Sequence, residues 1–221
     1  MLSAFSPFVH AQNAGQTASL LVRFRQTTDT AAKEKILSQI VQRGHRVGRP
    51  LLDLAKGTDD NDTRWLAIRG LGMLKFQEAA AFLVESLRSD GRYVRANAAR
   101  ALGELRYSRA APALLRVLEA EQDDGVIEQV SLALRMVNAK EAIPVLKSRM
   151  SFHSAQTRCW LLNAIARLGS KDDVPFIAQY LYGPDASVQI PLCAARALAT
   201  LRAMTSVFRR QAEYSTRRHR C

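Results

Sequence analysis

The residue types that most often ligate metals or attack substrates are sparse in this chain and far apart. The four histidines are isolated from one another: His10, His45, His153 and His219. None is followed by glutamate, so a carboxylate–histidine iron site has no ligand set to build it. The three cysteines form no CxxC pair that would indicate zinc. We expect Cys159 and Cys193 to be small buried apolar residues and Cys221 to be exposed.

Positive charge is the second feature that could do chemistry. The chain has 32 Lys and Arg against 20 Asp and Glu, a formal net charge of +12. Part of this excess is terminal, because residues 202–221 contain six arginines and one glutamate. Such a surface could bind nucleic acid, a membrane surface or an acidic protein. No Ser-His-Asp set or Gly-rich phosphate loop accompanies it, so we expect no catalytic residues, metal or cofactor.

These residues are carried by a sequence that repeats itself about every 31 positions. Shifting residues 93–120 back by 31 places Arg95 on Arg64 and Leu102 on Leu71. The segment "AARAL" at 98–102 recurs at 194–198. A proline recurs at the same offset of three successive copies: Pro112, Pro144 and Pro175. Internal repetition at this period is typical of stacked helical arrays.

Each copy predicts two amphipathic helices. The first apolar stripe has helical spacing: Val94, Ala98, Ala101, Leu102 and Leu105. A second stripe follows the break "RYSR", and Pro112 fits the first turn of that second helix. A hairpin of this size cannot bury both stripes alone, so copies must stack, with alanines allowing close approach. We predict an all-α, right-handed α-solenoid over residues 30–203, with about five and a half hairpins, a variant first copy at 30–56 and a partial copy after 186.

The motif "DGRYVRANAARALGEL" followed by "AAPALLRVL" resembles the HEAT-like repeat family, in particular the short bacterial form also seen in phycobilin lyases. Echoes of it are "DTRWLAIRGLGML", "TRCWLLNAIARLG" with "VPFIAQYL", and "CAARALATL". The resemblance covers roughly residues 30–203. It implies the fold strongly and the function weakly, because this family holds many unrelated scaffolds. The lyase resemblance implies an acidic tetrapyrrole ligand and a homologous partner subunit.

The second helices usually line the concave side in such repeats, which makes four of their residues candidate partner contacts: Arg116, Arg149, Tyr180 and Tyr182. In register, the columns of these helices mix charged, polar and apolar residues. That mixture does not form the continuous basic stripe that would track a phosphate backbone.

A better-aligned basic edge lies at the turn inside each copy: Lys75, Arg106, Arg109, Lys140 and Lys171. Cations near helix C-termini stabilise the helix by roughly 0.3–1 kcal/mol each, and the same edge could meet an acidic partner. We interpret the row Arg64, Arg95 and Arg158 as structural, since each follows an acidic or polar turn. Trp65 and Trp160 either plug an edge of the core or anchor a partner.

The two ends differ from the repeats. Residues 1–29 form a lead-in, in which Val9-His10-Ala11 resembles a signal-peptidase site although no positive segment precedes it. It is either a truncated signal peptide or a plain lead-in, and the cytoplasm and an exported (periplasmic) location both stay open. Residues 204–221 form a basic tail. The sequence favours a non-catalytic scaffold or adaptor that binds another protein. The alternatives are nucleic-acid binding and phycobilin-lyase-like chromophore binding. The oligomeric state is left open.

Overall fold

The computed structural model describes residues 7–151, 154–182 and 189–202, which are helical and contain no strand. The chain divides into two compact units, 1–107 and 108–221. Unit 1 contains α1 Pro7–Gln26, α2 Thr30–Val41, α3 Gly48–Lys56, α4 Asn61–Met73, α5 Ala80–Ser86 and α6 Arg92–Glu104. Unit 2 contains α7 Ala111–Ala120, α8 Asp124–Met136, α9 Ile143–Ser148, α10 Ala155–Leu168, α11 Val174–Ala178 and α12, 189–202. The predicted all-α fold of helical hairpins is confirmed.

The same backbone turn ends the first helix of successive copies. The left-handed residues of this turn are Lys75, Arg106 and Asn138, with φ of 50°, 52° and 58°. Gly44, one period before Lys75, also has a positive φ, 76°, but its ψ of −161° gives a different turn. After α4, the Lys75 amide donates to the Gly72 carbonyl at 2.8 Å and the Phe76 amide to the Leu71 carbonyl at 3.0 Å. This Schellman pattern satisfies carbonyls that the helix end leaves open. A 3₁₀ turn then leads into the second helix, and the 31-residue period is therefore visible in the backbone itself.

Small residues let neighbouring first helices approach closely, as the alanine pattern predicts. Within unit 1, a Cβ placed on Gly72 of α4 would lie 2.9 Å from both the Cα and the Cβ of Ala101 in α6. Real Cβ atoms do not come this near to a neighbouring backbone, so glycine is required at that crossing. The helices then bury continuous apolar seams, including Leu71 and Leu102, which are fully buried.

One buried charge ties α2 to the start of α4. The Lys33 side chain is 3% exposed, and its ammonium pairs with the Asp60 carboxylate and donates to Thr63 Oγ1 at 2.8 Å. Asp60 is also the N-cap of α4, accepting from the Thr63 hydroxyl at 2.6 Å and from the Thr63 amide at 3.2 Å. The Lys33 bond and these donors hold the pKa of Asp60 well below its usual range.

The segment assigned to the lead-in contains helix α1, which packs against α2. Leu20 and Phe24 of α1 are buried. This half of the segment therefore contributes apolar side chains to the core of unit 1. Residues 1–6 and the predicted basic tail, 204–221, lie outside the described residues.

Candidate functional site

A groove in unit 2 lies between α10 and α12, the first helices of two successive copies. Its volume is about 390 Å³, within the range of small-molecule sites. The residues that line it are Gln156, Cys159, Trp160, Asn163, Arg167, Cys193, Arg196 and Thr200. Those from α10 recur at helical spacing, so one face of that helix forms a whole wall. The groove combines an indole, three amide or hydroxyl groups and two guanidinium groups.

A smaller recess continues the site toward α8, because Trp160 and Asn163 line both spaces. Its volume is about 10 Å³, close to what one water molecule needs. The Ser131 hydroxyl lines it and is buried without a hydrogen-bond partner among the described residues. A buried hydroxyl without a partner is costly, so a water or ligand atom in this recess would be stabilised.

The site concentrates positive charge without a paired carboxylate. Arg135 in the recess donates from Nη1 to Asn163 Oδ1 at 2.6 Å. Burial lowers the pKa of Arg135, and the positive charge of Arg167 lowers it further. Within the described part of the chain, no ion pair involves Arg135, Arg167 or Arg196. Since like charges at short range repel, an anion between them would relieve the repulsion.

The only carboxylate that lines the recess is Glu128, and burial raises its pKa. The three arginines that line the groove and the recess outnumber this carboxylate. The Trp160 side chain, 38% exposed, offers an apolar face beside this positive charge. A flat ligand with carboxylates matches both properties, because guanidinium binds carboxylate in a bidentate manner and indole stacks on π systems.

The two groove cysteines are bonded to each other, which corrects their interpretation as independent small apolar residues. Cys159 of α10 and Cys193 of α12 form a disulfide with Cα atoms 5.4 Å apart. Both residues are half-buried and line the groove. The expectation for Cys221 falls outside the described residues. The disulfide covalently joins the two helices that form the groove walls.

The four predicted partner contacts lie on or after the second helices and do not line this groove. Arg116 is exposed in α7, and Tyr182 is 92% exposed beyond α11. Tyr180 contacts Phe176 with ring centroids 5.6 Å apart, and burial raises its pKa. The Arg149 guanidinium donates to the backbone carbonyl of Glu119 at 3.3 Å and to that of Glu121. Arg149 therefore stabilises the end of α7.

The predicted basic edge is exposed at all five positions: Lys75, Arg106, Arg109, Lys140 and Lys171. Lys75 and Arg106 are the left-handed residues that end α4 and α6, and the other three lie in the 3₁₀ turns before second helices. Each residue therefore has a local structural setting in its own turn. That the basic edge binds an acidic partner stays a prediction.

The interpretation of the arginine row as structural is confirmed at two positions, with an unexpected acceptor. The Arg64 guanidinium donates to the Thr58 carbonyl. Arg95 donates from Nη1 at 2.9 Å to the carbonyls of Ser89 and Asp90. These acceptors are backbone carbonyls of the preceding turn. Trp65 is half-buried and donates from Nε1 to Asp62 Oδ1 at 3.0 Å.

The groove arginines were missed because only second helices were compared as a binding surface. Arg135 and Arg167 both lie in the last turn of a first helix, one position apart in the 31-residue register. An arginine in the last turn of two successive first helices was the available signal. Arg196 repeats Arg100 in the segment "AARAL", but its place in the groove depends on how α12 lies against α10.

The comparison with protein families identifies the repeat. The family described as HEAT repeats matches residues 48–135, a span that contains five of the helices described above in full, α3 to α7. The chain contains HEAT repeats. Across the described residues, no cluster of His, Cys, Asp and Glu could hold a metal ion, and no helix is long and apolar enough to cross a membrane.

The curated relatives of this HEAT-repeat protein include proteins of bilin metabolism. It is 35% identical to the bilin biosynthesis protein PecE of Mastigocladus laminosus over 144 residues, covering 62% of this chain and 52% of PecE. It is 31% identical to the phycocyanobilin lyase subunit alpha of Nostoc sp. over 165 residues, covering 65% of this chain and 59% of that protein. The chain therefore spans between half and three fifths of these relatives.

Solved structures with the same fold include the complex of CpcE and CpcF of phycocyanin lyase from Nostoc sp. The match has a TM-score of 0.60 at 23% identity and covers 76% of this chain and 71% of that chain. An engineered protein matches with a TM-score of 0.58 at 17% identity, covering 85% of this chain and 97% of that one. At these identities, both likenesses concern the fold.

Proposed function

We propose that this HEAT-repeat protein is a bilin-binding subunit of a lyase-type assembly. The observation that carries the proposal is its 35% identity to a bilin biosynthesis protein along 62% of its length. Bilins are acidic open-chain tetrapyrroles, so their binding site must accept a flat conjugated system and carboxylates. The sequence favours a scaffold that binds another protein. A subunit that binds both a bilin and a partner protein keeps this protein-binding role.

The groove between α10 and α12 supplies both kinds of contact. The exposed face of Trp160 can stack on a pyrrole ring, and its neighbours Arg167 and Arg196 can each bind a carboxylate. A charge-assisted hydrogen bond contributes about 1.5–3 kcal/mol. The recess behind Trp160 places Arg135 and Asn163 within the same positive field. Binding at this site thus exchanges guanidinium repulsion for guanidinium–carboxylate attraction.

A partner subunit belongs to the same proposal. The structurally similar lyase is a complex of two chains, CpcE and CpcF. Arg116, the Tyr180–Phe176 pair and the exposed Tyr182 are the candidate partner contacts on the second helices. The basic edge is a further candidate for an acidic partner surface.

The proposal is tested by titrating the full chain with biliverdin and following its visible absorption band. Trp160→Ala and Arg167→Ala should each weaken binding about tenfold or more, the equivalent of roughly 1.4 kcal/mol. Trp65→Ala and Arg106→Ala are matched controls, since neither residue lines the groove, and they should bind as the wild type does.

Two results would oppose the proposal. If the wild type does not bind biliverdin, the proposed ligand is wrong. If the control variants lose as much affinity as the groove variants, the proposed binding site is wrong. Binding of DNA or RNA that falls steeply with salt, in a chain that ignores biliverdin, would favour the nucleic-acid alternative instead.

A further inference from the structure

We infer that the Cys159–Cys193 disulfide is a redox clasp that controls whether the groove is formed. The bond joins the two walls of the groove, α10 and α12, across a Cα–Cα distance of 5.4 Å. The inference concerns regulation of the same site and rests on the proposed function for the identity of the ligand. The restraint of α12 by the disulfide does not depend on which ligand binds.

The packing of α12 explains why a covalent bond matters at this position. The inward face of α12 carries Ile190, Ala194, Ala197 and Leu201, all of them buried. Two of these four side chains are single methyl groups, which bury little apolar area each. The Gln189 side chain adds a hydrogen bond from Nε2 to Gln156 Oε1 at 2.6 Å. With such small side chains in the seam, the disulfide supplies a large share of the restraint on α12.

The bond is also placed where a reductant can reach it. Both half-cystines are half-buried and line an open groove instead of the core. A protein or small-molecule dithiol would attack one sulfur through its thiolate and form a mixed disulfide, which its second thiol then resolves. Two electrons and two protons pass to Cys159 and Cys193 as free thiols, and the reductant leaves as its own disulfide. In a reducing compartment, disulfides that form are usually transient or redox-sensing.

The clasp and the ligand must then influence each other equally. Reduction releases α12, which carries Arg196, from the wall that carries Trp160 and Arg167, so the ligand contacts lose their fixed spacing. Because coupling between two sites is reciprocal, a bilin that binds the oxidised groove more tightly must also protect the disulfide from reduction. Coupling of this kind typically changes affinity by about 5- to 150-fold.

The test compares oxidised and dithiothreitol-reduced full chain, beginning with mass spectrometry of the unreduced protein to locate the bond. We expect the biliverdin dissociation constant to rise about tenfold or more on reduction, and amide hydrogen exchange over residues 189–202 to accelerate while α8 keeps its rates. Cys159→Ser/Cys193→Ser should behave as the reduced protein under both conditions. Cys221→Ser, the matched control, should respond as the wild type does.

The outcomes separate this inference from the proposed function. Equal biliverdin affinity in the oxidised and reduced chain overturns the clasp while the proposed function stands. If the oxidised chain ignores biliverdin, the proposed function fails, and hydrogen exchange decides the clasp alone: unchanged exchange over 189–202 overturns it. Absence of the Cys159–Cys193 bond from the unreduced protein also overturns it.

Discussion

The buried ammonium of Lys33 makes an asymmetric prediction about stability. Asp60→Asn removes the opposing charge but keeps an N-cap side chain of similar quality, so the change isolates the ion pair from helix capping. The ammonium then stays buried, 3% exposed, and its acceptors in this network, the Thr63 hydroxyl and the introduced amide oxygen, are both uncharged. Lys33→Met removes the charge and keeps an apolar stem of similar length.

The magnitudes follow from the exposure of the two partners. Leaving one charge of a fully buried pair unpaired costs about 3–5 kcal/mol. The Asp60 side chain is 51% exposed, so water can approach from that side, and we expect Asp60→Asn to lower the free energy of unfolding by about 2–3 kcal/mol. Lys33→Met should cost less than about 1 kcal/mol, because the Asp60 carboxylate keeps its Thr63 donors.

Urea unfolding followed by circular dichroism measures the cycle. The double variant should match Lys33→Met, which gives a coupling energy of about 2 kcal/mol. A cost for Lys33→Met equal to that of Asp60→Asn, or a double variant whose costs simply add, would refute the reasoning.

Acid supplies an independent check on the same pair. The folded-state pKa of Asp60 lies below its unfolded value, so its contribution to stability is present above the unfolded pKa, near pH 4. It is lost as the pH falls through the depressed folded pKa. The difference in stability between the wild type and Asp60→Asn should therefore shrink below about pH 4 and stay constant from about pH 5 to 7.

Three further substitutions, one of them with a matched control in α1, test local features of the fold. Arg106→Gly should raise the free energy of unfolding by up to about 1 kcal/mol, since glycine adopts the left-handed turn without strain; a shift of the urea midpoint downward would contradict this. Gly72→Leu should lower the free energy of unfolding by more than about 2 kcal/mol, because its side chain would clash with Ala101. Gly15→Ala is the control: its Cβ would lie in open space, so the free energy of unfolding should be unchanged or higher in the same assay. Arg149→Ala should cost about 1–2 kcal/mol by removing the donor to two carbonyls. Its biliverdin affinity should match the wild type, and a tenfold loss would restore Arg149 as a ligand contact.

The period of the fold was predictable because it is written in apolar residues. A stripe such as Val94, Ala98 and Leu102 has one physical solution, a helix that buries one face, and repetition of that stripe requires stacking. The turns between helices were equally visible in the sequence. Their left-handed conformation was not, since Lys75 and Arg106 have no intrinsic preference for it and occupy it because the Schellman hydrogen bonds and the following 3₁₀ turn require it.

The groove was beyond sequence reasoning for a different reason. A binding surface on first helices depends on which side chains of neighbouring copies face each other, and Arg167 and Arg196 sit at different offsets in their copies. The disulfide has the same origin. A spacing of 34 residues between Cys159 and Cys193 becomes meaningful only once the two copies are known to lie side by side.

The recurring left-handed turn also divides the chain into interchangeable parts. Residues 76–106 begin just after one such turn and end with the next, so the backbone leaves this segment in the same conformation in which it enters. A duplicate of those residues inserted after Arg106 would meet the same junction at both ends and would place its copy of Ala101 against Gly103, which follows Gly72 by 31 residues at the same repeat position. The array can in this way be lengthened by whole copies, and the turn is the position at which a copy would be inserted to engineer a longer protein.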